Sequence, residues 1–227
     1  MFLITGASRG IGKYLLDHFS SKGESVIGTY YSTNPQDIDP EKMFRVNIAE
    51  NTQVVSFVDH NRTRLNNVIL LNCAGNNYNA VAHKADMDIW KEVITVNLVG
   101  TFQVIRAVLP IMREQNWGRI INFSSVVARI GIPGTSAYAA SKSGIWGMTR
   151  AIAAENAKKG ITINNMNLGY FDIGMITEVP PDLQTVVKKK IPTGQFGNPE
   201  NILHAVNFLI NCDYINGTSI DISAGLI

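Results

Sequence analysis

Short apolar runs recur along the chain, and the gaps between most of them are long enough for a helix. Runs at 2–4, 25–30, 43–46, 68–72, 119–123, 162–167 and 218–222 predict seven strands. Val68-Ile69-Leu70-Leu71 is apolar at every position rather than at alternate ones. That is the pattern of a strand covered on both faces, as in a parallel sheet. Helical spacing appears between the runs. Segment 11–22 places Ile11, Leu15, Leu16 and Phe19 on one face and stops at Gly23. Segment 52–63 carries Val54, Val55 and Val58, and 89–113 is long and apolar, with Trp90, Val93, Ile94, Leu98, Phe102, Ile105 and Leu109. Segment 137–158 is rich in Ala and ends before Gly160, and 199–210 opens on Pro199 and carries Ile202, Val206, Phe208 and Leu209. Strand and helix alternate from end to end. The expected fold class is α/β, a single doubly wound domain over 1–227, with a central parallel sheet of about seven strands and helices on both faces. The least regular stretch, 173–198, holds Pro180-Pro181, Lys188-Lys189-Lys190, Pro192 and Gly194, and reads as an insertion near a site rather than a linker.

Composition narrows the class of partner. The 227 residues carry 20 basic and 18 acidic side chains, a net charge of +2, which leaves no strong field to recruit nucleic acid. With 45% hydrophobic residues the chain is too apolar for a disordered one. No run approaches the ~18 consecutive apolar residues of a membrane span, so no membrane partner is expected. The four residues Met1–Ile4 are too few for a signal-peptide core and no basic segment precedes them, so the expected compartment is the cytoplasm. Cys73 and Cys212 are expected to be buried, reduced thiols, and no metal-ligand cluster is expected.

The first strand runs into Thr5-Gly6-Ala7-Ser8-Arg9-Gly10-Ile11-Gly12, and a helix follows. Gly6 suits a tight turn off the strand, Gly10 a close approach of backbone to a pyrophosphate, and Gly12 close helix–strand packing. The helix N-terminus offers free N–H groups and partial positive charge to phosphates. The spacing Gly-x-x-x-Gly-x-Gly resembles the short-chain dehydrogenase/reductase family, whose domain is of Rossmann type. Further stations match in order. They are Asn72-Cys73-Ala74-Gly75 after the fourth strand, Asn97 in the long helix, Ser125 ending the fifth strand, and Tyr138 and Lys142 in Tyr138-Ala139-Ala140-Ser141-Lys142. Ser124 is a rival to Ser125, and the interval of thirteen residues to Tyr138 favours the latter. In pattern the chain is nearest to 3-oxoacyl-[acyl-carrier-protein] reductases.

Tyr138 and Lys142 stand four apart and share one face of a helix. A nearby ammonium favours a phenolate, so Lys142 is expected to lower the Tyr138 pKa from its usual value near 10. A phenol so tuned exchanges a proton with a carbonyl or alcohol oxygen, and Ser125 can donate a hydrogen bond to the same oxygen. The resemblance implies that Lys142 also holds the nicotinamide ribose, that Asn97 positions a water for proton relay, and that hydride comes from the cofactor. It implies cofactor contacts at Gly6, Ser8, Arg9, Gly10, Ile11, Gly12, Tyr30, Tyr31, Ser32, Asn47, Ile48, Asn72, Ala74, Gly75, Tyr138, Lys142, Gly169 and Ile173. Relatives that take NAD carry an Asp at the tip of the second strand, where this chain has Tyr30-Tyr31-Ser32-Thr33 and no carboxylate before Asp37. Arg9 matches a basic residue of NADP-dependent relatives, so NADP(H) is favoured over NAD(H). Asn47 and Ile48 replace the usual Asp-Val beside the adenine. Leu168 stands for a Pro and Ile173 for a Thr that bonds the nicotinamide carboxamide.

The resemblance puts substrate choice in 76–85, 126–135 and 173–197, the last being a lid whose first half is apolar at Ile173, Met175, Ile176 and Val179. The expected activity is NADP(H)-dependent reduction of a ketone, a 3-oxoacyl thioester or similar carbonyl, with Tyr138 as general acid. The alternatives are oxidation of a sugar, polyol or ring alcohol, and a non-catalytic nucleotide sensor. The Tyr–Lys interval disfavours an enoyl thioester. An acyl carrier protein is a candidate partner, for which Lys158 and Lys159 could serve as a basic patch at the pocket mouth or else form a solvated charged helix end, and Gln195 stands where many such reductases have Arg. Relatives pair as dimers or tetramers through helices equivalent to 89–113 and 137–158, so a homo-oligomer is expected.

Overall fold

A computed structural model describes residues 1–35 and 39–227. Its seven strands are β1 (Phe2–Thr5), β2 (Val26–Tyr30), β3 (Met43–Arg45), β4 (Ile69–Asn72), β5 (Gly118–Ser125), β6 (Ile161–Leu168) and β7 (Ser219–Ile222). They form one sheet in the order β3-β2-β1-β4-β5-β6-β7, every neighbouring pair parallel. The order reverses between β1 and β4, which opens a crevice at the carboxyl ends of the strands.

Among the described residues eight α-helices connect them: α1 (Gly10–Ser21), α2 (Asn51–His60), α3 (Met87–Ile94), α4 (Thr101–Gln115), α5 (Val127–Ile130), α6 (Ser136–Asn156), α7 (Pro181–Lys188) and α8 (Glu200–Asn211). Residues of β1 to β6 feed two cores, one on each face of the sheet. Leu3, Ile27, Leu70, Ile120 and Ile163 pack beneath α2, α4 and α6. Ile4, Leu71, Ile121, Phe123 and Met166 pack beneath α1 and α8. This double covering is what the unbroken apolar run of β4 predicts.

Two segments differ from the sequence reading. The single helix expected over 89–113 is α3 and α4 joined by a π-helical turn, Thr95–Gly100. The wide turn admits an extra residue and re-aims the side chains after it, which periodicity alone does not reveal. The resulting stretch Met87–Gln115 is long and apolar enough to cross a membrane by composition. Its buried stripe of Val93, Val104, Ile105, Val108, Ile111 and Met112 instead lies in the core. The irregular region 173–198 contains a 3-10 turn, Gly174–Glu178, and α7, which starts with Pro181 at its first turn. A parallel bridge between Phe171 and Gly197 closes its base. Cys73 and Cys212 are free, half-buried rather than buried.

Candidate active site

The cleft at the carboxyl edge of the sheet encloses about 1540 Å³. Ligand pockets commonly run to roughly 1,000 Å³, so this one has room for a dinucleotide and a smaller molecule beside it.

The turn from β1 into α1 forms one wall, lined by Gly6, Ser8, Arg9, Gly10, Ile11 and Gly12. A Cβ on Gly12 would lie 2.2 Å from the Gly6 carbonyl oxygen, so only glycine permits this packing. Gly10, at φ +55, is in the left-handed region, and a side chain there would press on Gly174. No side chain caps α1 and no acidic residue occupies its first turn. Its first N–H groups are left for a ligand, and the bare glycine turn with an uncapped helix end suits a pyrophosphate. Arg9 does not stand free. Its guanidinium forms an ion pair with Glu178 at the end of the 3-10 turn, which ties the glycine turn to the overhanging segment.

At the tip of β2, Tyr30, Tyr31 and Ser32 line the cleft. No carboxylate stands there among the described residues, and Asp37 lies outside them. Arg45 is a residue that the sequence reading missed: it pairs with Tyr30 across β2 and β3, and its guanidinium lies 5.4 Å from the Tyr31 ring centre. Its signal is a strand register, which spacing along the chain does not carry. Asn47 and Ile48 also line the cleft, and the Asn47 side chain accepts the Ala49 N–H at 3.1 Å, shaping its own turn.

Ala74 and Gly75 line the cleft, whereas Asn72 and Asn97 are buried behind it. The Asn72 side chain donates to Asn122 at 2.8 Å and thus binds β4 to β5. Asn97 lies in the π turn. Its oxygen accepts the Asn76 N–H at 2.9 Å, and its amide donates to the Asn76 carbonyl at 2.9 Å and to Ser141 at 3.1 Å. Both amide hydrogens are therefore taken, so a relay water would meet only the side-chain oxygen.

Ser125, Tyr138 and Lys142 line the same cleft. β5 ends on Ser125, while α6 presents Tyr138 and Lys142 one turn apart. The Ser124 hydroxyl is committed elsewhere: it accepts the Trp146 indole N–H at 3.0 Å and donates to the Lys142 carbonyl at 3.2 Å. The expected lowering of the Tyr138 pKa is corrected by the structure. Burial pushes the phenol up to about 12, against a smaller downward pull from its hydrogen bond with Ser125. Lys142 is itself pulled down to about 8 by burial. Its Nζ donates to the Phe123 carbonyl at 2.6 Å and lies 5.5 Å from the centre of the Tyr138 ring. Desolvation is the largest influence on both groups.

Gly169 and Ile173 line the cleft, and Ile173 brings no hydroxyl to it. Tyr170, beside Gly169, also lines it, and its proximity adds to the upward pressure on Tyr138. The sequence reading passed over it, although it follows a residue already singled out. Lys158 and Lys159 are not at the mouth. They immediately precede Gly160 and the start of β6, whereas the cleft lies at the strand's other end. Eight residues at about 3.3 Å each put the two edges more than 20 Å apart.

A family model described as short chain dehydrogenase matches residues 1–184. The 3-oxoacyl-[acyl-carrier-protein] reductase of Thermotoga maritima is 33% identical, over 99% of this chain and 96% of that protein. The enzymes of the same name from Haemophilus influenzae and Escherichia coli are 32% and 30% identical over the same shares.

Proposed function

The chain belongs to the short-chain dehydrogenase family, as an oxidoreductase of NAD(P)H, and we propose that it reduces a 3-oxoacyl thioester or similar ketone with NADPH. The observation that carries this reading is the meeting of Ser125, Tyr138 and Lys142 in the cleft that the glycine turn also lines. A bound nicotinamide supplies the hydride. Tyr138 gives its hydroxyl proton to the carbonyl oxygen, and the Ser125 hydroxyl donates to the same oxygen. With its pKa at about 12, the phenol is protonated at neutral pH, the form that reduction requires. Lys142 stands ready to hold the ribose, and Asn97 fixes the Asn76 backbone on the facing wall.

NADPH is favoured over NADH by Arg9, whose guanidinium would exchange its exposed Glu178 partner for a 2′-phosphate, and by the lack of a carboxylate at Tyr30, Tyr31, Ser32 and Thr33, which would repel that phosphate. A thioester suits the apolar strip of Ile173, Met175, Ile176 and Val179 along the cleft. The names of the relatives point to an acyl carrier protein as the thioester's carrier, and Lys188, Lys189 and Lys190 put exposed positive charge on the overhanging segment, 173–197, proposed as the substrate lid. A second copy of the chain is proposed to cover the exposed Val99 and Phe102, to be checked by the mass of the particle in solution. The cleft is also lined by polar Asn76, Asn77, Asn79 and Thr135, which favours as second reading a hydroxyl-rich alcohol oxidised with NADP+.

Cofactor absorbance during turnover decides between them. We expect NADPH oxidation with acetoacetyl thioesters, several-fold faster than NADH oxidation at equal concentration. Turnover of polyols alone overturns the thioester reading, and equal efficiency with both cofactors overturns the argument from Arg9.

A further inference from the structure

β6 is buried along all eight residues, yet three of them are asparagines: Asn164, Asn165 and Asn167. A buried amide left without partners costs roughly 1–3 kcal/mol, so such a strand needs a partner for each. Asn164 finds its own in the backbone before β7, donating to the Ile215 carbonyl at 2.7 Å and accepting the Thr218 N–H at 3.1 Å. On the face covered by α6, two rows of cross-strand neighbours provide them for Asn165 and Asn167. The inner row joins Asn72, Asn122, Asn165 and Ser219 at registered positions of β4 to β7. Its hydrogen bonds measure 2.8, 3.3 and 2.9 Å, and Thr149 of α6 closes it by contacts to Asn122 and Asn165.

The outer row lies two residues nearer the cleft and joins Ser124, Asn167 and Asp221. The Trp146 indole N–H bridges Ser124 Oγ at 3.0 Å and Asn167 Oδ1 at 2.9 Å. Asn167 donates to Asp221 at 2.7 Å, and the other Asp221 oxygen pairs with Arg129 of α5. Tyr138, Lys142 and Trp146 recur every four residues, so one stripe of α6 carries proton donor, ammonium and indole. Lys142 has no carboxylate partner among the described residues. Its place is set by the Phe123 carbonyl at its Nζ and by Ser124 at its own carbonyl. Arg129 follows Ser125 by four residues, so the same row ties the turn after Ser125 to the helix that carries Tyr138.

We propose that the outer row, Trp146 with Ser124, Asn167 and Asp221, positions Lys142 and Tyr138, whereas the inner row serves stability alone. The proposal rests on the roles given to Tyr138 and Lys142 above. Groups that must meet a cofactor and a reacting oxygen need placement within fractions of an ångström, which directional bonds supply better than apolar packing.

Four variants test it. Trp146→Phe keeps the ring system apolar but removes the donor, and Asp221→Ala removes the acceptor for Asn167. Asp221→Asn retains an acceptor, and Asn165→Val breaks the inner row. Trp146→Phe and Asp221→Ala should each weaken cofactor binding, read by fluorescence of the reduced nicotinamide, about fivefold, and lower kcat for acetoacetyl thioester about tenfold. Asp221→Asn should restore both to within about twofold of wild type. Asn165→Val should lower the melting temperature yet leave affinity and kcat within about twofold. The proposal is overturned by a Trp146→Phe variant with wild-type affinity and kcat, or by an Asn165→Val variant that loses as much as Trp146→Phe. If wild type does not turn over the thioester, the substrate reading fails, and the affinity comparison, made with whichever nicotinamide the wild type binds, decides the positioning role by itself.

Discussion

β4, β5 and β6 present two faces made from alternate residues of the same strands. Toward α1 and α8 they show Ile69, Leu71, Ile121, Phe123, Met166 and Leu168, apolar up to the cleft. Toward α6 they begin with Leu70, Ile120 and Ile163 and then turn polar, through Asn72, Asn122, Ser124, Asn165 and Asn167, all buried. Both faces exclude water. The apolar one does so by volume, which tolerates small shifts of its neighbours. The polar one does so by pairing each donor with a chosen acceptor, which fixes direction as well as distance. Tyr138 and Lys142 are carried on the helix that covers the polar face, where position is most tightly specified.

The largest expected effect lies on that helix. Tyr138→Phe should lower turnover by about 10²–10⁴, the usual contribution of a positioned proton donor, with the melting temperature nearly unchanged. A fall in stability that accounts for the lost rate would break the comparison. On the apolar face the expectation reverses. Leu71→Ala, at a fully buried position, should cost about 2–5 kcal/mol in denaturant unfolding, while the enzyme that remains folded keeps its kcat.

A smaller effect has the opposite sign. Lys142 is a buried ammonium pulled down to about 8 from an ordinary 10.5, so the native state binds its proton more weakly than the unfolded chain does. Stability therefore rises as pH climbs from about 8 to 10.5, and below that window the buried charge is a burden. Lys142→Met should raise the melting temperature at pH 7 by about 2–4 °C, and the advantage should shrink across that window, as activity is lost. Tyr138, held up to about 12 by burial, adds stability that is full below pH 10 and lost as pH rises through 12. The smallest effect belongs to neither face. Arg62 and Glu114 pair at 2.7 Å on the outer surface between α2 and α4, both about half exposed or more, and Arg62→Ala should change stability by less than about 1 kcal/mol.

Much of the fold was legible because its signals are local. The seven strands announce themselves as short apolar runs, and the glycine turn lies between one such run and a helix. Tyr138 and Lys142 are legible as a pair because an interval of four is a property of any helix. The π turn at Thr95–Gly100 was not legible, since it leaves the apolar content unchanged and alters only the hydrogen-bond pattern. Lys158 and Lys159 were misplaced because a charge run carries no mark of which sheet edge it will occupy. The Tyr138 pKa went the other way because burial is a sum over neighbours distant in sequence.

By itself, then, the sequence determined the alternation of strand and helix, the bare glycine turn at the first strand's end, and the residue types brought to the cleft. These follow from periodicity, backbone freedom and side-chain chemistry, which act over a few residues. Tertiary structure alone decided that Asn122 meets Asn165, that Ser124 meets Asn167 and Trp146, that Arg9 meets Glu178, and that Tyr138 keeps its proton. Each of these depends on strand register or on exclusion of water by elements up to 169 residues apart, as between Arg9 and Glu178, and neither is written in any local stretch of the chain.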